Sequence, residues 1–182
     1  MENQTKANFE HALKWGLIFG LINIAAYLLM FLINKNMLVS MWFGSTTFII
    51  NLALLIFSIT SQRKELGGFI SFNQAFIICL VVFIGGALIQ NIFSYFLYNF
   101  IDPGLAEFIK QKAIETTSSM MEKFGAPQES IDKSIDDMQN ENFSQTPARI
   151  SLQFFYSIIY GGFISLILAA IFKKNPKVVD FE

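Results

Sequence analysis

The chain has 182 residues, 53% of them apolar and only 15% charged, with a formal net charge of −1. An ordinary globular domain is roughly 25% charged, so solvent-facing charge is scarce, and the balance offers no basic surface for nucleic acid. Residues 15–33, 36–62, 66–101 and 150–172 carry no charge at all; a membrane-crossing helix needs about 20 mainly apolar residues, which excludes a soluble enzyme domain and predicts four spans.

Residues 1–12 are a polar tail that becomes helical, and the first span covers about 13–33. Its apolar stretch exceeds the roughly 7–15 residues of a signal-peptide core. Asn34-Lys35-Asn36-Met37 contains no small-x-small cleavage site, so the segment reads as a retained span. The tight turn at 34–36 forces a second span, about 38–60, to run antiparallel to the first. Residues 61–68 form a charged turn closed by Gly67 and Gly68, which disfavour helix. The third charge-free run is too long for one crossing. Ser71 and Gln74 have capping-box spacing, so the third span is placed at 71–99.

Asp102 followed by Pro103 reads as an N-cap with proline at the first helical position. Leu105, Ile109, Ala113, Thr116, Met120 and Phe124 then share one helical face, opposite Glu107, Lys110, Glu115 and Glu122. Gly125 is placed to stop this helix. A second helix over 127–139 carries Ile131, Ile135 and Met138 on one face. The 102–149 segment is thus expected to be an extramembrane helical hairpin. A bare pair of this size buries too little to stand alone, so it should also lean on the span ends or the lipid surface. Its polar face mixes acids with lysines, unlike the basic face of an interfacial helix, so packing on protein is expected. A polar linker at 140–147 leads to the fourth span, about 150–172. The fold class is all-α: one integral membrane domain over 1–182, a four-helix bundle with the hairpin between spans 3 and 4.

Lysine and arginine near span ends set orientation. With four spans, one side carries Lys6, Lys14, Arg63, Lys64, Lys173, Lys174 and Lys177; the other carries Lys35, Lys110, Lys112 and Arg149. This places both termini in the cytoplasm and the hairpin outside.

Small residues fall on stripes. Gly16 and Gly20 have GxxxG spacing, and Asn23 and Tyr27 continue that face; Ser157, Gly161, Ser165 and Ala169 form three small-xxx-small steps in span 4. Such residues let helix backbones approach closely in lipid, either within the chain or between two copies. Asn23, Asn51, Gln90 and Asn91 are neutral polar groups within spans. They read as interhelical hydrogen-bonding groups, or alternatively as the lining of a path for a neutral solute. No acid or base lies deep in a span, so the groups used for proton coupling or for a charge-selective pore are missing.

Catalytic parts are also missing. One His, His11, and one Cys, Cys79, cannot make a His/Cys metal cluster or an intramembrane Ser-His-Asp triad. Cys79 reads as a small buried apolar residue. The acids Asp102, Glu107, Asp136 and Asp137 read as a solvated helical face. No cofactor, metal or enzymatic activity is expected.

The segments Gly67-Gly68-Phe69-Ile70-Ser71-Phe72-Asn73-Gln74-Ala75-Phe76, Tyr98-Asn99-Phe100-Ile101-Asp102-Pro103, Ile164-Ser165-Leu166-Ile167 and Ile171-Phe172-Lys173-Lys174 resemble a family of small four-span bacterial inner-membrane proteins classed as a domain of unknown function. The resemblance covers nearly the whole chain. It implies four spans, a helical segment between spans 3 and 4, and a place in the inner membrane; it brings no activity, cofactor or catalytic residue. Two roles compete. One is a non-catalytic membrane protein that binds an envelope protein or a second copy of itself. The other is a small oligomeric transporter or channel for a neutral solute, built on Asn23, Asn51, Gln90 and Asn91.

Overall fold

The computed structural model describes the backbone of residues 2–174 and the side chains of residues 8–174. Within these limits the chain is all-helical. Helix α1 (Glu2–Ile33) leads through a short 3₁₀ turn (Lys35–Val39) into α2 (Met41–Glu65). Helix α3 (Phe72–Phe96) ends in a wider π-helical turn (Leu97–Ile101), and α4 (Leu105–Lys123), α5 (Gln128–Asn140) and α6 (Pro147–Phe172) follow. Four segments are long and apolar enough to cross a membrane: Asn8–Ile33, Met41–Glu65, Phe72–Ile101 and Pro147–Phe172. The molecule is a multi-pass helical membrane bundle.

Local chemistry sets most boundaries. Ser71 Oγ accepts from the Gln74 amide at 3.3 Å, and Gln74 Oε1 accepts from the Ser71 amide at 2.9 Å, completing the capping box that starts α3. Gly125, at φ 70°, follows α4 in the left-handed conformation that ends many helices. Two boundaries differ from the expected ones. Asn34 accepts from the Asn36 amide and caps the 3₁₀ turn, and Ser40 caps α2, so α2 begins at Met41 rather than at 38. Helix α6 begins at Pro147, before the charge-free run, because the Thr146 hydroxyl accepts from the Arg149 amide and Pro147 follows it.

Helix α3 is the centre of the bundle, with α1 and α6 packed along it and α2 in lesser contact. The core gathers toward the end where α1 begins and α6 ends: Ala12, Phe19, Leu55, Ile59, Ile78, Cys79, Val82, Leu168 and Ala169 are buried there. At that end Ile70 and Lys174 exchange backbone hydrogen bonds at 3.0 and 2.8 Å, pinning the chain after α6 to the turn before α3. At the other end the first turns of α2 stand free, with Met41, Trp42, Phe48 and Ile49 exposed. The hairpin lies at this end, against the 3₁₀ turn.

Candidate functional site

The small-residue stripes lie in helix crossings of this single chain. A Cβ on Gly16 would sit 3.3 Å from the Val82 carbonyl oxygen and 3.6 Å from Gly85 Cα, so α1 and α3 meet almost backbone to backbone. A Cβ on Gly20 would lie 2.9 Å from the Ile89 side chain, and one on Gly86 would strike the Phe19 ring. On the other side of α3, the Phe83 ring occupies the place a Cβ on Gly161 would need. Phe83 packs against Phe19 and Tyr160, each 5.9 Å away between ring centres, and so joins α1 to α6 across α3. Ser165 and Ala169 are buried on the same face as Gly161. Ser157 is half-buried and donates back to the Phe154 carbonyl at 2.7 Å.

The intramembrane polar residues separate into different settings. Asn23 Nδ2 donates to Asn51 Oδ1 at 2.8 Å and to the Phe19 carbonyl at 2.8 Å, tying α1 to α2. Asn91 donates to the Ala87 carbonyl at 2.7 Å, one turn back along its own helix. Gln90 has a buried Oε1 without a partner among the described residues. Asn51 borders a crevice of about 90 Å³ beside Phe83 and Tyr160. Asn91 borders a different groove of about 410 Å³ between α3 and α6, lined by Leu88, Ile92, Tyr95, Ile150 and Phe154. Within the single chain, Asn51 and Asn91 therefore border separate spaces.

Three polar links were not foreseen from the sequence. The Tyr27 and Tyr98 hydroxyls share a hydrogen bond of 2.7 Å between α1 and α3; Tyr27 lies one turn beyond Asn23, on the face that packs inward. At the end where α1 begins, His11 Nε2 lies 3.1 Å from both the Ser58 carbonyl and Ser61 Oγ, and its Nδ1 lies 3.4 Å from the Glu65 carboxylate. Gln62, buried beside it, donates to Asn8 Oδ1 at 2.8 Å. Among the described residues no three His, Cys, Asp or Glu side chains converge as a metal would need.

Asp102 does something other than expected. Its carboxylate is not a helix cap but forms an ion pair with Lys35. The Asp102 carbonyl accepts from the Leu105 amide at 3.0 Å around a turn through Pro103 and Gly104, and α4 starts at Leu105 with Gly104 in the cap position and no side-chain cap. Lys35 reaches this carboxylate from the turn between spans 1 and 2, a charge-assisted partner that outweighs a local amide. The pair fixes the entry to the hairpin against the bundle. Further bonds hold the hairpin together and fix its exit: Lys110 donates to the Gln139 carbonyl, Asn99 to the Gln145 carbonyl at 3.0 Å, and Arg149 to Glu141 at 3.0 Å and to the Asn142 carbonyl.

The profile of one protein family, described as Protein of unknown function (DUF4199), matches residues 14–174. The chain belongs to the DUF4199 family. The match runs from Lys14, within the first span, to the backbone bridge at Lys174, so it takes in nearly all of the first span, the other three spans and the hairpin, as the resemblance in the sequence implied. No match was found among curated proteins or among solved structures.

Proposed function

We propose that this chain is a non-catalytic protein of the bacterial inner membrane, with both termini cytoplasmic, that works by presenting its α4–α5 hairpin to another envelope protein. The single observation behind this reading is the anchorage of the hairpin. Asp102 meets Lys35 at its entry, Asn99 and Arg149 hold its exit, and Lys110 joins α4 to the end of α5. A segment that served only to link two spans would not need both ends tied. The outward face of α5 carries Glu129, Asp132, Asp136 and Asp137, all exposed and outside these bonds, so a surface of fixed shape is left free. The dispersal of Asn23, Asn51, Gln90 and Asn91 over separate settings favours this reading over a solute path.

A photo-crosslinking residue placed in turn at Asp132, Asp136 and Asp137 is expected to yield a discrete protein adduct in whole cells. The same residue at lipid-facing Phe163 or Ile171 is expected to yield none. Absence of any adduct across α4 and α5, together with solute flux from liposomes holding the purified protein, would replace this reading with the transporter.

A further inference from the structure

The apolar stripe of α4 divides in two. Leu105 is buried and Ile109 and Ala113 are half-buried, but Thr116, Met120 and Phe124 are exposed. Phe124, the last residue before the Gly125 turn, is 84% exposed. It borders an open groove of about 540 Å³ between the end of α4 and the start of α2, whose other walls are Met41, Glu115, Thr116, Ser119, Met120 and Lys123. Packing on protein, expected from the mixed charges of α4, holds only for the first half of the stripe.

The far wall of the groove indicates what covers the rest. Met41 is the first residue of a membrane-crossing helix, so it stands at the bilayer boundary. Trp42, beside it, is 80% exposed, as a tryptophan of the interfacial belt should be. The groove therefore runs from the exposed Met41, at the start of α2, onto Met120 and Phe124. Lys123 borders the same groove and has the long stem and charged tip that let a side chain lie along apolar surface while its ammonium meets phosphate.

We infer that the C-terminal half of α4 is an interfacial anchor: Met120 and Phe124 enter the surface of the bilayer beside Trp42 and moor the hairpin tip to the membrane. The occupant of the groove is bilayer lipid, its headgroup at Lys123 and its upper acyl segment against Met41, Met120 and Phe124. This goes beyond the proposed role in binding a protein, which uses α5, and does not depend on it.

The test uses the full chain with Trp15→Phe, Trp42→Phe and Phe124→Trp, reconstituted in phosphatidylcholine–phosphatidylglycerol vesicles with and without bromine near the headgroup end of the acyl chains. The introduced indole is expected to emit at shorter wavelength than in water and to lose emission in brominated vesicles, as its place at the headgroup level of the bilayer requires, while iodide quenches it little. An otherwise identical chain with Asp136→Trp in place of Phe124→Trp is expected to show the reverse. Because Phe124 contributes nothing to the core, the substitution leaves folding intact; Met120→Cys on a Cys79→Ala background, labelled with an environment-sensitive dye, gives an independent reading. Strong iodide quenching without bromine quenching at both positions would overturn the anchor. So would shielding from both quenchers that disappears as the protein is diluted in the vesicles, which would mean a second copy covers the groove.

Discussion

In the α1–α3–α6 layer, helices touch through Gly16, Gly85, Gly86 and Gly161, and aromatic rings fill what the glycines leave open. In the α4–α5 hairpin the contacts are of another kind: Leu105 and Ile131 are buried, and ion pairs and side-chain-to-carbonyl bonds do the rest. The first region sits in lipid, where burying an apolar side chain between helices gains little over leaving it in hydrocarbon, so close fit must hold the helices. The second lies outside the four spans, where apolar burial is favourable but there is little of it, and charge fixes position. Each region should therefore fail under a different insult: added volume should break the bundle, and lost volume or lost charge should loosen the hairpin.

The largest effect is expected from lost volume in the hairpin. Leu105→Ala removes most of a fully buried side chain at the first turn of α4, a change that costs about 2–5 kcal/mol in cores. Hydrogen exchange should speed up throughout α4 and α5 while α3 keeps its protection. Equal acceleration in α3 would mean that the hairpin and the bundle unfold as one unit.

Added volume in the bundle comes next, and two neighbouring glycines make the comparison internal. Gly161→Ile drives side-chain atoms into the Phe83 ring, whereas a Cβ at Gly162 would meet nothing within 4 Å. Overpacking costs about 1–3 kcal/mol, so Gly161→Ile should lower the unfolding temperature in detergent and Gly162→Ile should not. If both glycine variants behave alike, close fit is not what holds α6 to α3.

The same contrast decides how much could be read without the structure. The spans were legible because charge cannot stay in hydrocarbon, and charge-free runs mark them whatever the tertiary packing. The capping box at Ser71 and the stop at Gly125 were legible because each is a local bond or a local backbone conformation. Asp102-Pro103 and Thr146-Pro147 show the limit. Both pairs carry the pattern of a cap followed by proline, yet only Thr146 caps its helix; Asp102 turns instead to Lys35, far away in sequence. The bridge between Ile70 and Lys174 and the bond between Tyr27 and Tyr98 were illegible for the same reason. The stripe from Leu105 to Phe124 was correctly seen as one face, but periodicity does not say where protein ends and lipid begins.

A smaller effect is expected from the ion pair at the hairpin entry. Both Lys35 and Asp102 are partly exposed, so removing either charge should cost no more than about 1 kcal/mol. Asp102→Asn and Lys35→Ala should nevertheless raise protease sensitivity near the entry of α4, and the double variant should be no worse than the single ones. A cost that adds instead would mean that the two residues act on different parts of the hairpin and that the pair does not orient it.

The smallest effect is expected inside the membrane, and it separates the two functional readings. Asn23 and Asn51 are joined by one hydrogen bond of 2.8 Å between α1 and α2. Interhelical bonds of this kind average about 0.6 kcal/mol in double-mutant cycles, because polar groups find other partners when the helices part. Asn23→Leu, Asn51→Leu and the double variant, measured by unfolding in mixed micelles, should give a coupling energy near that value. The bond stands between the splayed α2 and the tightly packed α1, so its loss should show first as faster exchange in the free outer half of α2 rather than as global unfolding. A structural bond predicts that the double variant folds and keeps its crosslinks through α5. A solute path predicts the opposite pattern: stability barely changes, while flux in liposomes falls when either asparagine becomes apolar.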